Sequence, residues 1–169
     1  MRLFFLILYK LKKLTGKLSN RWRSAYYAYI FSSCGRKRPR IARQVVFSYP
    51  QNIACGEALI VNPQVYFAAK GGIELGDNVT ISAGAKILSS SLQAVDGAVS
   101  RKHIHKKVTI GSNVWLGAGC IICPGVTIGD NVIVAAGAIV TKDLPGDHIY
   151  AGIPAKMLRP LAEKNPENL

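Results

Sequence analysis

Acidic residues are scarce in this chain. Nine Asp and Glu stand against 22 Lys and Arg, which gives a formal net charge of +13 over 169 residues. Twelve of the basic residues, and no acidic one, fall within residues 1–44. A charge of this sign and size favours anionic partners such as nucleic acid, anionic lipid or a phosphate-bearing small molecule. Because no nucleic-acid-binding motif accompanies the charge, we expect no nucleic-acid partner.

A hydrophobic run long enough to span a membrane is missing as well. Leu3–Tyr9 is an apolar run of seven residues, which is too short to cross a bilayer. A signal peptide is disfavoured because the dense basic residues follow this run, with Arg2 alone before it, and no small-residue cleavage site is evident. Residues 1–45 are predicted to form a basic amphipathic segment with a short helix. Two interpretations stay open: residues 1–25 contact a membrane surface, or the helix packs against the main domain or a neighbouring subunit.

Cysteine and histidine are few, with four and three residues respectively. Cys120 and Cys123 have the C-x-x-C spacing of some metal and redox sites, but no second Cys or His pair lies nearby to complete a zinc shell. The histidines His103, His105 and His148 do not have the spacing of a three-histidine zinc enzyme. We therefore predict reduced, small and buried thiols, and no metal.

What the chain has in abundance is a repeat of six residues. An aliphatic residue returns every six positions from residue 75 and again from residue 110, followed in most units by a small residue. These first positions are Leu75, Ile81, Ile87, Ile110, Leu116, Ile122, Ile128, Val134 and Val140. A period of six predicts one short strand and one tight corner per unit. Three units would close a coil of 18 residues, and stacked coils would form an all-β solenoid over residues 46–150.

One interruption breaks this register. Ile110 follows Ile87 by 23 positions where six would continue the coil, so 17 extra residues must leave the solenoid as a loop, over about residues 90–107. The loop contains the stretch SRKHIHKK, which holds two of the three histidines. Loops extruded from a rigid scaffold are common positions for functional residues.

The segment NVWLGAGCIICPGVTIGDNVIVAAGAIVTKDLPGDHIYAGIPAKMLR, residues 113–159, closely resembles the hexapeptide-repeat acyltransferases. Within that family it is similar to the sugar O-acetyltransferase branch, which includes maltose, galactoside, capsule, colanic-acid and O-antigen acetyltransferases. The resemblance covers residues 53–160. It implies a left-handed parallel β-helix, a homotrimer, and acetyl-CoA as co-substrate in clefts between neighbouring subunits. It also implies a cytoplasmic enzyme. The basic N-terminus leaves open a peripheral position at the inner face of the membrane.

The resemblance also assigns residues to acetyl-CoA. A groove of small residues would hold the pantetheine arm, and cations of the tail motif Pro-Ala-basic-x-x-Arg would approach the CoA phosphates. The residues that match are Gly117, Ala118, Ala136, Gly137, Thr141, Lys142, Lys156 and Arg159. Residues 151–169 are thereby predicted to be a tail that closes the CoA site. Trp115 points outward in the repeat, and we expect a neighbouring subunit to cover it.

The chemistry implied is direct attack of a sugar hydroxyl on the thioester, with a neutral His as general base. In the maltose and galactoside branch this His begins the loop, and here Leu92 stands at that position. We therefore place the base at His103 first and His105 second, within a stretch similar to the Arg-x-His of some polysaccharide-modifying members. Asp96 and Arg101 are predicted to orient the imidazole or contact the acceptor. The competing interpretation is that both histidines only add positive charge.

Other functions remain open from the sequence. Serine or xenobiotic O-acetylation and N-acetylation of an amino sugar would use the same base and cofactor. A catalytically inactive β-helix scaffold is the alternative outside enzymes, and the absence of His at Leu92 is its main support.

Overall fold

A computed structural model of the chain describes residues 20–95 and 97–161. The expectations for residues 1–19, for Asp96 and for residues 162–169 lie outside the described residues. Helix α1 spans residues 20–30, and a single 3₁₀ turn spans Pro50–Asn52. Neither α1 nor any other described segment forms a helix long and apolar enough to cross a membrane.

Nineteen short strands make up the rest of the described regular structure. In chain order they are β1 Ser33–Cys34, β2 Arg40–Ile41, β3 Val46–Ser48, β4 Ile53–Cys55, β5 Ile60–Val61, β6 Tyr66–Ala68, β7 Ile73–Leu75, β8 Thr80–Ile81, β9 Lys86–Leu88, β10 Ser90–Val95, β11 Ala98–His105, β12 Val108–Ile110, β13 Trp115–Leu116, β14 Ile121–Ile122, β15 Thr127–Ile128, β16 Ile133–Val134, β17 Ile139–Val140, β18 His148–Ala151 and β19 Lys156–Pro160.

The strands stack into three parallel sheets that form the sides of a triangular prism. Sheet A has the order β1-β4-β7-β12-β15, sheet B the order β19-β18-β16-β13-β8-β5-β2, and sheet C the order β17-β14-β9-β6-β3. The chain visits A, B and C in turn, so each strand pairs with the strand one coil away. Within these three sheets β19 departs from this rule, since it runs antiparallel to β18.

The length of each coil is recorded in the pairing register. Thr109 pairs with Thr127, so the coil after the insertion contains 18 residues, and the last one shortens to 16, since Ile133 pairs with Ile149. The coils before the insertion contain 20, since Tyr66 pairs with Lys86, apart from 21 between β1 and β4. The two additional residues lie at the corner between sheets C and A, where the hexapeptide pattern also slips around Gly71. Across the insertion Thr80 pairs with Trp115, 35 positions on, which is 18 plus the predicted 17.

The interior of the prism is filled by the repeat's aliphatic positions. All nine first-position residues from Leu75 to Val140 are at most 5% exposed. Small fifth-position residues are buried as well, including Ala85, Cys120 and Ala138. Burial of this kind contributes about 25 cal/mol per Å² of apolar surface and is the main stabilising term in such a solenoid.

Aromatic side chains close the N-terminal end of the prism. Tyr27 of α1 packs on Phe47 at a ring-centroid distance of 4.3 Å, and Phe47 stacks on Phe67 of the next coil at 4.7 Å. Phe31 packs edge-on against Phe47. The prediction of a helix within residues 1–45 therefore agrees with α1, which packs against the main domain.

The solenoid begins earlier than the predicted boundary at residue 46. Strand β1 pairs with β4 and strand β2 pairs with β5, so the first coil starts at Ser33. The hexapeptide pattern does not reveal this coil, because Ile41 is the single buried residue in β1, β2 and β3. The strands are held by backbone hydrogen bonds to the next coil, and backbone bonds leave little mark on side-chain periodicity.

The predicted loop 90–107 is an ordered hairpin. Strands β10 and β11 pair antiparallel and leave the prism at the corner between sheets C and A. Gly71 of the preceding coil lies directly under its root. A Cβ on Gly71 would come within 2.5 Å of the Ser89 carbonyl oxygen and 2.9 Å of the Lys106 nitrogen.

We expect Gly71→Ala to destabilise the fold by about 3 kcal/mol, since the hairpin root must shift to admit the methyl group. That loss corresponds to a drop in melting temperature of roughly 10 °C for a chain of this size. The control is Gly97→Ala at the hairpin tip, where an added Cβ meets no atom within 4 Å and only the left-handed backbone, φ +76°, opposes it. Its cost is about 1 kcal/mol. Equal shifts of the two melting temperatures would contradict the close approach at Gly71.

Candidate active site

The root of the hairpin is fixed by one buried serine. Ser89 is fully buried, and its hydroxyl donates to the Ala68 carbonyl at 2.7 Å and accepts from the Gly71 backbone N–H at 2.8 Å. Its carbonyl accepts the Lys106 N–H at 2.9 Å, which ties the outgoing strand to the returning one. The hairpin is therefore positioned by the prism and not merely tethered to it. Sequence reasoning did not single out Ser89. Its signal is the polar run Ser-Ser-Ser at the point where the hexapeptide register ends.

The two loop histidines lie next to each other on β11. The rings of His103 and His105 are parallel within 3°, with centroids 6.2 Å apart. Both side chains are exposed. The His105 Nδ1 atom lies 2.9 Å from the Ser90 hydroxyl, which holds the ring and leaves its Nε2 atom toward solvent.

Leu92, where the resemblance predicts the catalytic histidine, lies directly opposite His103 in the hairpin. Leu92 pairs with His103, and Ser90 pairs with His105. Directly opposed residues of an antiparallel pair project from the same face, with Cβ atoms about 4.5–5.5 Å apart. His103 thus projects beside Leu92, the position at which the resemblance to the sugar O-acetyltransferases predicts the catalytic histidine.

Of the two residues predicted to assist the histidines, the structure describes Arg101 but not Asp96. Arg101 is exposed and lies where the hairpin register shifts, between the pairs Leu92–His103 and Ala94–Val99. Asp96 lies outside the described residues, so its predicted role stays a prediction.

The predicted groove of small residues lies at the corner between sheets B and C. The Gly137 N–H donates to the Ala118 carbonyl at 2.8 Å, so these corners stack with the expected spacing of 18 residues. Ala118 and Ala136 are exposed, and Gly117 is buried beneath them. A Cβ on Gly117 would lie 2.5 Å from the Ala136 backbone nitrogen, which explains why this position has no side chain.

The remaining predicted CoA ligands are exposed and lie on β19 and at the corner after β17. Thr141 and Lys142 follow β17 at the corner between sheets C and A. Lys156 and Arg159 lie on β19, with Lys156 opposite Ala151 and Arg159 opposite Ile149 of β18. The Ala155 N–H donates to the Ile139 carbonyl at 2.8 Å, which fixes the start of β19 on the last coil.

Within one chain the histidines and the alanine corner do not meet. The hairpin leaves from the edge of sheet C toward sheet A, whereas Ala118 and Ala136 lie at the opposite edge of sheet C. A side of the prism therefore separates the candidate base from the candidate cofactor groove. The two can form one site only if the hairpin of one chain reaches the alanine corner of another.

Polar and aromatic side chains cover the edge and face of sheet B. Asn78, Asn113, Asn131 and Asp147 form a ladder of side-chain hydrogen bonds with distances of 2.8–3.1 Å. Trp115 points outward as predicted, is 51% exposed, and donates its indole N–H to Ser82 at 2.9 Å.

All four cysteines are free thiols, of which Cys55 and Cys120 are buried and Cys34 and Cys123 partly buried. Burial raises the pKa of Cys55 and of Cys120 to about 12, and it raises the pKa of Cys123 as well. The Cys34 and Cys55 sulfurs lie 3.3 Å apart on paired strands. Across residues 20–95 and 97–161, no three His, Cys, Asp or Glu side chains converge as a metal site would require.

Comparison with known proteins points to one family. Residues 107–142 match the family described as bacterial transferase hexapeptide (six repeats), and residues 67–89 match the hexapeptide repeat of succinyl-transferase. The chain is 34% identical over 128 residues to galactoside O-acetyltransferase of Escherichia coli K12, which covers 72% of this chain and 60% of the relative. It is 31% identical over 144 residues to a putative colanic acid biosynthesis acetyltransferase of the same organism, covering 85% of this chain and 77% of that protein.

The structural comparison agrees. A galactoside acetyltransferase solved in complex with coenzyme A superimposes with a TM-score of 0.76 and 29% identity, over 85% of this chain and 72% of that one. The predicted fold class, a left-handed parallel β-helix with an extruded loop, is confirmed. The chain spans about 60% of the length of the E. coli galactoside O-acetyltransferase that it matches.

The raised pKa values of the buried thiols predict their reactivity. The thiolate is the reactive form, so at pH 8 a thiol with a pKa of about 12 has only about one molecule in ten thousand ionised. We expect iodoacetamide to leave Cys55 and Cys120 unmodified in the folded protein, as measured by peptide mass spectrometry. The partly exposed Cys34 reacts first, and all four react in denaturant. Rapid native labelling of Cys120, or zinc retained by the Cys120–Cys123 pair, would contradict this assignment.

Proposed function

The chain belongs to the hexapeptide-repeat acyltransferases, and on this premise we propose that it is an acetyl-CoA-dependent O-acetyltransferase. Its acceptor is a sugar hydroxyl of a surface polysaccharide or of its precursor, and it works in the cytoplasm. The observation that carries the proposal is the placement of His103 opposite Leu92 on a hairpin rooted in the prism. A scaffold without catalytic function would not need an imidazole held at that position.

The reaction follows from these groups. The Nε2 atom of the base accepts the hydroxyl proton while the sugar oxygen attacks the thioester carbonyl carbon. The tetrahedral oxyanion collapses, the carbon–sulfur bond breaks, and the imidazolium returns its proton to the CoA thiolate. General-base catalysis of this kind contributes about 10²–10⁴-fold. Backbone N–H groups at the corners near Ala118 and Ala136 are suited to stabilise the oxyanion.

We assign the first role to His103 and a supporting one to His105. His103 stands opposite the usual position of the base, whereas His105 stands opposite Ser90, whose hydroxyl lies 2.9 Å from its Nδ1 atom. The two parallel rings lie side by side, with centroids 6.2 Å apart. Arg101, and Asp96 beyond the described residues, belong to this proposal as contacts to the acceptor.

The cofactor part of the proposal depends on a homotrimer. Acetyl-CoA would lie along Gly117, Ala118, Ala136 and Gly137 of one chain, facing the hairpin of the next. Thr141, Lys142, Lys156 and Arg159 supply its polar and cationic contacts. The relative solved with coenzyme A supports this choice of cofactor. Trp115 and its cavity of about 300 Å³, beside Asn78 and Asn113, give sheet B a surface that a neighbouring subunit would cover.

The assignment of the base is tested by exchanging the residues at the paired positions 92 and 103. We expect His103→Leu to lower kcat by about 10²–10⁴-fold while acetyl-CoA still binds. Because Leu92 projects beside His103, the double variant Leu92→His/His103→Leu should recover at least a tenfold part of that loss. The measurement is CoA thiol release with a panel of hydroxyl and amino sugars as acceptors.

Two controls accompany this test. Val99→His introduces an exposed imidazole elsewhere on β11 and should restore nothing in the His103→Leu background. Ser90→Ala removes the partner of His105 and should change kcat less than His103→Leu does. Full activity of His103→Leu would refute the assigned base, and wild type that binds acetyl-CoA without turnover on any acceptor would favour the scaffold.

The shared site is tested by mixing two inactive chains. His103→Leu abolishes the hairpin's contribution, and Ala118→Trp fills the groove. If each site combines the hairpin of one chain with the groove of the next, random trimers of the two variants regain about a quarter of wild-type activity. Mixtures that stay inactive, although subunit exchange is shown by mass, would mean that each chain carries its own complete site.

A further inference from the structure

The N-terminal end of the prism carries a concentration of charge that the acetyl-transfer site does not use. We call residues 20–44 the basic cap, and they comprise α1, β1, β2 and their connections. The cap contains seven cations and no carboxylate, namely Arg21, Arg23, Arg36, Lys37, Arg38, Arg40 and Arg43. The first acidic residue of the chain is Glu57. Like charges this dense repel one another, so the cap is suited to an extended anionic partner.

Helix α1 presents an aromatic face on its outer side. Its inner side packs Tyr27 on the core, and Ser24 accepts the Ile41 N–H at 3.2 Å. On the opposite side Trp22, Tyr26 and Tyr29 follow the spacing i, i+4, i+7 and are 76%, 59% and 90% exposed. Tyr and Trp combine an apolar ring with a polar edge, and they concentrate at the level of lipid headgroups.

A cavity of about 560 Å³ lies between α1 and the first two coils, on the inner side of the helix. Its floor is apolar, formed by the buried Pro39, Ile41 and Val61. Its rim carries the exposed residues Arg21 from α1 and Arg38 and Arg40 from the adjoining segment. Guanidinium groups bind phosphate oxygens through paired N–H donors, so three of them around an apolar floor suit a phosphate joined to an aliphatic chain.

We propose that the basic cap is a docking surface for an anionic phospholipid membrane. A lipid phosphate occupies the arginine-rimmed cavity, and Trp22, Tyr26 and Tyr29 lie among the neighbouring headgroups. A second copy of the chain is a poor occupant, because two such faces would bring fourteen cations together without a carboxylate. Nucleic acid is a weaker fit, since the aromatic rings lie on a convex helix and not along a groove that follows a strand.

The candidate hairpin lies close to the end of the prism that carries the basic cap. The candidate hairpin leaves the prism after β9, two strands above β3 of the first coil in sheet C. With strands spaced about 4.8 Å apart, the hairpin root lies about 10 Å along the prism axis from the capped end. An acceptor anchored in the same membrane would thus be within reach of the hairpin.

The test uses the full-length protein and phospholipid vesicles. We expect sedimentation with vesicles of phosphatidylcholine and phosphatidylglycerol, no sedimentation with pure phosphatidylcholine, and release as salt is raised. Arg38→Gln/Arg40→Gln should lower the partition coefficient several-fold more than the roughly thirtyfold that two surface cations contribute without a specific site, at about fivefold each. The matched control Arg36→Gln/Lys37→Gln removes the same charge outside the cavity and should lose several-fold less. Equal losses would refute the phosphate site, and absence of binding to the anionic vesicles would refute the surface.

Tryptophan fluorescence tests the aromatic face. The chain has two tryptophans, so Trp115→Phe leaves Trp22 as the single reporter. We expect its emission to shift to shorter wavelength on anionic vesicles and to be quenched by brominated lipids. The complementary variant Trp22→Phe should show no shift. An unshifted Trp22 in vesicle-bound protein would overturn the orientation, and a change of oligomeric mass in Trp22→Ser without loss of vesicle binding would assign the face to subunit contact instead.

Membrane binding and acetyl transfer can fail separately. The arginine variants, Trp22→Phe and Trp22→Ser are assayed without vesicles on a soluble acceptor, where we expect unchanged turnover. His103→Leu should keep full vesicle binding. A variant of the cap that loses both properties and melts early is excluded from the comparison, and the Arg36→Gln/Lys37→Gln protein then sets the baseline.

Discussion

The backbone hydrogen bonds between successive coils are the constraint on which the rest of this structure depends. Each short strand pairs only with the strands one coil above and below, so the chain must return to the same corner after a fixed number of residues. Where stacked corners approach, side chains are excluded, as at Gly117 beneath Ala136. The same constraint exposes Ala118 and Ala136 in a column along one corner, and that column is the candidate cofactor groove.

A register this strict also determines where extra residues can go. Insertions leave at a corner because a strand with an added residue would lose its pairing and reverse its buried face. The corner between sheets C and A takes two extra residues in the early coils and 17 in the third. Ser89 turns the longest insertion into a positioned hairpin, since its buried hydroxyl bonds to Ala68 and Gly71 of the coil below and its carbonyl accepts the Lys106 N–H. A rigid root is what allows an exposed imidazole to have a defined place.

Charge is divided between the two functions proposed for the molecule. The cations of β19 and the corner at Lys142 lie near the C-terminal end of the prism, where they suit the phosphates of a small cofactor. Those of the basic cap lie at the other end, beside an aromatic helix face, where they suit an extended anionic surface. The net charge of +13 sums the two groups of cations and does not show that they lie at opposite ends.

The sequence by itself determined the solenoid, the length of the insertion and its exit point, because a six-residue period in aliphatic positions can be satisfied by few folds. It also indicated the cofactor motif and the two histidines. It did not reveal the first coil at Ser33, whose pairing rests on backbone bonds, nor the role of Ser89. Only the tertiary structure decided that Leu92 and His103 share one face, since cross-strand pairing depends on where the hairpin turns. The same holds for the separation of the histidines from the alanine corner by sheet C, because the order of corners around a closed coil is a property of three dimensions.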